Sequence, residues 1–161
     1  IAIQWLLDCG LVYKVNRGNE PHMPLKAYKN MNAYKLFVLD VGLLGAMSEL
    51  PAESILEGND IFVEFKGALT EQYVLQQLIS DTPYTPYYYG NEKATFEQDF
   101  LVQKAKSIVP IEVKAEQNIR SHSLKTYCEK FQPEEAVRFS TLKYKEQEWM
   151  VNIPLYAVCN L

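Results

Sequence analysis

With 161 residues, 48% hydrophobic, 22% charged and 12% aromatic, the chain can bury one ordinary core, and this balance excludes a disordered or low-complexity polymer. The formal net charge of −4 excludes a uniformly basic nucleic-acid binder, and no apolar run approaches the roughly 18 residues that suggest a membrane span. Cys9, Cys128 and Cys159 are far apart and form no C-x-x-C pair, so neither a disulfide framework nor a zinc site is indicated; buried free thiols and a cytoplasmic location are the expectation.

The first stretch, "IAIQWLLDCG", reads as a helix that starts without a capping residue or an initiator methionine, which points to a fragment of something longer. "LVYKV" gives a short strand signal, "NRGNEPHMP" a polar loop, "YKLFVLD" (34–40) a buried strand and "VGLLGAM" a short helix or turn. Residues 1–50 thus read as a connector with a small core of its own, compatible with the end of a winged-helix unit. "LPAES" marks a boundary to a second unit over 51–161. Neither part carries a phosphate-binding loop.

Residues 61–80 have helical length and period, and Pro83 lies just beyond their end. Glu71 is out of place there. With Val74, Leu75 and Leu78 at i+3, i+4 and i+7, its carboxylate lies on the apolar stripe, either as a functional acid or as one that bends out to water. "PYTPYYYG" (83–90) reads as a strand, its tyrosines being favoured strand residues that also have the faces to stack on bases. Further on, 121–131 reads as a helix with Leu124, Tyr127, Cys128 and Phe131 on one face. "EEAVRFSTL" and "MVNIPLYAV" follow as strands. The order predicts a mixed α/β domain with an antiparallel hairpin near its centre.

That hairpin is "QDFLV" and "SIVPIEVKA" around "KAKS". A four-residue loop over 104–107 sets Val102 against Val109, Phe100 against Ile111, and Asp99 against Glu112, with the two carboxylates roughly 5 Å apart at Cβ. Lys114 shares the face of Glu112. Two adjoining acids can share a proton or bind a hard cation such as Mg²⁺, and a lysine beside them suits phosphodiester hydrolysis. A salt-bridged surface hairpin satisfies the same spacing.

The strand "VPIEVKA" preceded by "FEQDFLV" resembles the PD-(D/E)xK nuclease superfamily. "FKGALTEQYVLQQL", "YYYG", "RSHSLKTYCEKF" and "NIPLYAV" are similar, in the same order, to a domain found C-terminal to AAA+-type P-loop ATPases in bacteria and archaea. "WLLDCGLVYKV" and "PLKAYKNMNAYKLFVLDVGLL" resemble the segment that joins ATPase to nuclease-like domain. The resemblance implies a restriction-endonuclease-like mixed sheet flanked by helices. It also implies Asp99, Glu112 and Glu71 as ligands of Mg²⁺ or Mn²⁺, Lys114 as catalytic lysine beside Asp99 and Glu112, and ATP only at an upstream domain outside this chain. Gln98 departs from the pattern, since the family more often has an aliphatic residue there.

Charge is unevenly spread. Residues 49–81 carry seven acids and one lysine, whereas 101–145 carry nine Lys or Arg against five Glu. Arg120 and Lys125 in that positive lobe are the candidate phosphate contacts, if the lobe is more than a solvated surface. Two readings follow: a Mg²⁺-dependent phosphodiesterase acting on DNA alongside an ATPase, or a catalytically silent module of the same fold that binds DNA or protein and regulates the ATPase.

Overall fold

The computed structural model describes residues 2–51, 53, 60–90, 96–115 and 121–161. Helix α1 (Ala2–Asp8) ends where Gly10 takes a positive φ of 74° and the Leu11 N–H returns to the Leu6 carbonyl, a left-handed stop that suits glycine. Strands β1 (Val12–Gly18) and β2 (Lys29–Val38) form an antiparallel hairpin. Asp40 then caps α2 (Val41–Met47) by accepting the Leu43 N–H at 2.8 Å.

The long helix α3 (Asp60–Asp81) buries Val74, Leu75 and Leu78 completely, as its period predicts. Two glutamines on it tie down the preceding segment: Gln72 Nε2 donates to the Val38 carbonyl at 2.8 Å, and Gln76 Oε1 accepts the Val41 N–H at 3.2 Å. There follow β3 (Tyr87–Gly90), β4 (Glu97–Lys104), β5 (Ser107–Lys114), α4 (His122–Phe131), β6 (Val137–Ser140), the two-residue β7 (Lys145–Glu146) and β8 (Val151–Pro154). A 3₁₀ segment, Leu155–Asn160, continues where a longer strand was expected.

The eight strands among the described residues form one mixed sheet in the order β2-β1-β3-β4-β5-β6-β8-β7, so the α/β expectation holds. β1 does not close on a separate small core. It pairs in parallel with β3, Arg17 opposite Tyr88 and Gly18 opposite Tyr89, and Val15 and Phe37 join the main apolar cluster. That cluster lies between α3 and one face of the sheet, through Phe100, Val102, Val109, Ile111, Val113, Val137, Phe139 and Ile153. The other face carries Tyr87, Tyr89, Leu101 and Tyr127, with the rings of Tyr127 and Phe131 from α4 set against Tyr89.

Two expectations need correcting, the loop length and the cysteines, and the base-stacking alternative for the tyrosines is set aside. The β4–β5 loop is two residues, Ala105 and Lys106, with Lys104 pairing Ser107. The register is unchanged, because a turn shortened symmetrically keeps the same partners. Tyr87, Tyr88 and Tyr89 are 7%, 8% and 6% exposed, so their rings are core and have no free face for a base. Nor are the cysteines all buried: Cys9, just past a helix with no buried residue, and Cys159 are exposed, and Cys128 is half-covered. No helix among the described residues is long and apolar enough to cross a membrane.

Candidate functional site

The centre of the site is an irregularity in β4. On its β5 side the ladder runs regularly from Lys104↔Ser107 to Phe100↔Ile111, as the register argument predicts, and ends there. On its β3 side Tyr87 pairs with Leu101 but Tyr89 with Gln98, so Asp99 and Phe100 both stand opposite Tyr88. This is a β-bulge, which takes a residue out of the in-out alternation. Side chains close the gap that it leaves: Asp99 Oδ2 accepts the Val113 N–H at 2.7 Å, and Gln98 Nε2 donates to the Ile111 carbonyl at 2.6 Å. Asp99 is therefore not the simple cross-strand partner of Glu112 that a regular ladder would make it.

Burial pushes the Asp99 carboxyl up to about 7; the Val113 N–H and the charge of Lys35 work against the rise, while Glu71 and Glu112 add to it. The bond from the Val113 N–H keeps the Asp99 carboxylate between β4 and β5, within reach of the charges on either side of the sheet. Glu112 alternates with Ile111 and Val113, residues of the α3-side cluster, and so faces α4. Its side chain is only 3% exposed. Oε1 meets Lys114 Nζ at 2.9 Å, and Oε2 is buried with no hydrogen-bond donor. The Glu112–Lys114 pair expected from the E-x-K spacing is thus present as a direct contact.

Glu71 has a different partner. Its Oε1 meets Lys35 Nζ at 3.0 Å, and the same ammonium holds Glu97 Oε1 at 2.5 Å and lies 5.2 Å from the centre of the Tyr88 ring. Burial works against the charge of Lys35, but Glu71 and Glu97 outweigh it and hold the ammonium above the usual lysine value. The sequence reading missed Lys35. The one signal was its place two residues before Phe37 in an apolar strand, which puts both on one face and so gives a half-buried lysine in need of an acid.

Among the described residues, no three His, Cys, Asp or Glu side chains stand together so as to hold a metal ion. Glu71 arrives from the α3 side with Lys35 already on it, and Glu112 faces α4. What fits an ion is smaller: Asp99 and Glu112 across the bulge, with Glu112 Oε2 lacking any donor. A small hard cation is commonly held by one or two carboxylates with waters. The residues present fit that set.

Next to Glu112, the neighbouring strands extend a buried polar row. Arg138 is in register with Glu112 on β6 and Asn152 with Arg138 on β8. Arg138 Nε donates to Asn152 Oδ1 at 2.9 Å and Nη1 to Ser121 Oγ at 3.1 Å, while Ser140 Oγ also donates to Asn152 Oδ1, at 2.7 Å. Burial lowers the guanidinium pKa and the charge of Glu112 offsets part of that.

The positive lobe is partly neutralised by its own contacts. Lys104 pairs with Glu135 at 3.1 Å, Lys114 with Glu112, and the exposed Lys125 lies 4.0 Å from Glu129. Arg120 lies outside the described residues. His22 pairs with Glu20 at 3.0 Å, and His122 opens α4 exposed.

No curated protein and no solved structure matches this chain. Two family models do. Residues 2–54 match one described as a domain of unknown function, DUF8612. Residues 66–157, more than half of the chain and all of the bulge, E-x-K strand and polar row, match another, and on that match the chain belongs to the family described as domain of unknown function DUF4143.

Proposed function

We propose that this chain is a nuclease-like domain of the PD-(D/E)xK kind, working C-terminal to an AAA+-type ATPase in the cytoplasm and hydrolysing phosphodiester bonds in DNA. The observation that carries this is the buried Glu112 carboxylate, with Lys114 at 2.9 Å on one oxygen and no donor on the other. A buried acceptor left without a donor is costly to stability, and such a cost is a common mark of a site kept for a ligand.

In this reading Asp99 and Glu112 hold Mg²⁺ or Mn²⁺, which when bound polarises a phosphoryl oxygen and lowers the pKa of its water. Lys114 brings a positive charge to the same carboxylate edge, where it steadies negative charge developing on the phosphoryl oxygens. Glu112 Oε1 fixes that ammonium in place, so orientation costs nothing at the moment of reaction. The Val113 N–H likewise fixes the Asp99 carboxylate. Lys125 and Arg120 are the candidate contacts to the DNA backbone, and ATP acts only at the upstream domain.

The test is incubation of the protein with supercoiled plasmid and Mg²⁺ or Mn²⁺. Wild type is expected to nick it, and Glu112→Gln and Lys114→Met to leave it intact while still giving a folded circular-dichroism spectrum and a cooperative melt. Uncut plasmid with wild type sinks the reading.

A second reading rests on Lys35. An ammonium already seated between Glu71 and Glu97 neutralises part of the acidic cluster without an ion. This favours a silent module that binds DNA or protein and regulates the ATPase. Calorimetry that finds no metal binding, beside intact binding of duplex DNA, selects this reading over the first.

A further inference from the structure

The bulge turns a residue of no assigned role toward the site. Gln98 is paired with Tyr89, whose ring belongs to the cluster on the α4 side, so Gln98 shares the side of the sheet that Glu112 faces. It is 0% exposed, in a position where an aliphatic side chain would pack without any polar cost.

Its amide orientation is fixed by chemistry. The Ile111 carbonyl can only accept, so the group 2.6 Å from it is the Gln98 nitrogen, and Oε1 is turned the other way. That oxygen is buried and has no donor. Glu112 Oε2 is buried and has no donor either, and it sits on the residue whose peptide bond begins at that same Ile111 carbonyl. Lys114 is spent on Glu112 Oε1, and Arg138 directs Nε and Nη1 to Asn152 and Ser121. Two acceptor-only oxygens cannot satisfy each other. A cation, which accepts electron pairs from both, can.

We propose that Gln98 is a metal ligand, its Oε1 and Glu112 Oε2 forming, with the Asp99 carboxylate alongside, the oxygen set for one divalent ion. An amide carbonyl and carboxylates are the ligand types that hard cations take. The inference rests on the reading that Asp99 and Glu112 hold an ion, and it names a third ligand on the chain position just before Asp99. It also accounts for why this set is not a cluster of three acids: its third member is neutral.

The experiment is Mn²⁺ titration by calorimetry on the whole chain, wild type against Gln98→Leu, with the metal-induced rise in melting temperature measured for each protein against its own metal-free form. Gln98→Leu is expected to bind Mn²⁺ about tenfold more weakly and to show a smaller rise. Crystals soaked in Mn²⁺ are expected to show an anomalous peak within about 2.5 Å of Gln98 Oε1, which decides the matter even if the variant folds poorly. Equal Mn²⁺ affinity in the two proteins, or a peak on Glu112 away from Gln98, overturns the proposal. Uncut plasmid together with Gln98-dependent Mn²⁺ binding removes the cleavage reading and keeps this ligand. Cleavage by both proteins at equal affinity does the reverse.

Discussion

The Asp99 carboxylate accepts the Val113 backbone N–H at 2.7 Å, so a side chain makes the bond at the point where the ladder between β4 and β5 has ended. The acid is thus part of the sheet's hydrogen bonding as well as of the site, and its charge state is coupled to folding.

The pH dependence follows from that coupling. Asp99 is raised from an ordinary 3.8 to about 7, so the folded chain holds a proton that the unfolded chain releases. Its contribution is fully present below about pH 4 and falls away as pH climbs through 7, by at most about 4 kcal/mol and less where solvent screens the site. Urea midpoints at pH 5 and pH 8 are expected to differ less in Asp99→Asn than in wild type. An equal difference in both proteins excludes Asp99 as the source.

Lys35 and Glu71 should behave as a unit. Lys35→Met leaves Glu71 and Glu97 beside Asp99 without their counter-charge and is expected to cost about 1–3 kcal/mol. Adding Glu71→Gln should restore part of that loss. A double-mutant cycle with a coupling energy below about 0.5 kcal/mol would show that the contact contributes nothing.

Of the three non-glycine residues with positive φ among the described residues, Glu49, Ala105 and Gln132, the last two stand at a hairpin turn and a helix end where glycine is the usual choice. Ala105, first of the two turn residues between β4 and β5, has φ 51°, and Gln132, past the end of α4, has φ 47° and ψ 54° while its N–H bonds the Cys128 carbonyl at 2.9 Å. Side chains other than glycine are strained there. Ala105→Gly and Gln132→Gly are each expected to stabilise by about 0.5–1 kcal/mol, read as a raised melting temperature.

Phe37 tests whether the first hairpin folds with the rest. Its ring lies 6.0 Å from that of the fully buried Phe100, and both belong to the α3-side cluster. Phe37→Ala is expected to cost about 3–5 kcal/mol in a single unfolding transition followed equally by all probes. A second, separate transition for residues 12–38 would refute a shared core.

The strand register was legible because it depends on one quantity, the position of the turn. Phe100 against Ile111 and Val102 against Val109 came out as expected even though the loop itself is two residues shorter. The bulge was not legible, since it arises from pairing Tyr87–Gly90 with β4, a contact between strands whose registers nothing local fixes. Lys35 was hidden for a related reason. It meets Glu71 and Glu97 across long stretches of chain, and a lone lysine in a strand carries no period to betray its partner. Glu112 and Lys114, two residues apart on one strand, needed no tertiary information at all.

The parallel pairing of β1 with β3 bears on how this protein can be divided. Residues 2–54 and 66–157 match separate families, yet a cut between them would strip β3 of β1, one of its two neighbours, and bare a row of backbone donors and acceptors along Tyr88 and Tyr89. The severed C-terminal piece would also lose Val15 and Phe37 from its core and the ammonium of Lys35 from its acids. The border between the two matched families therefore does not coincide with a border in the sheet: a C-terminal piece cut free there would need another strand to seal its open flank.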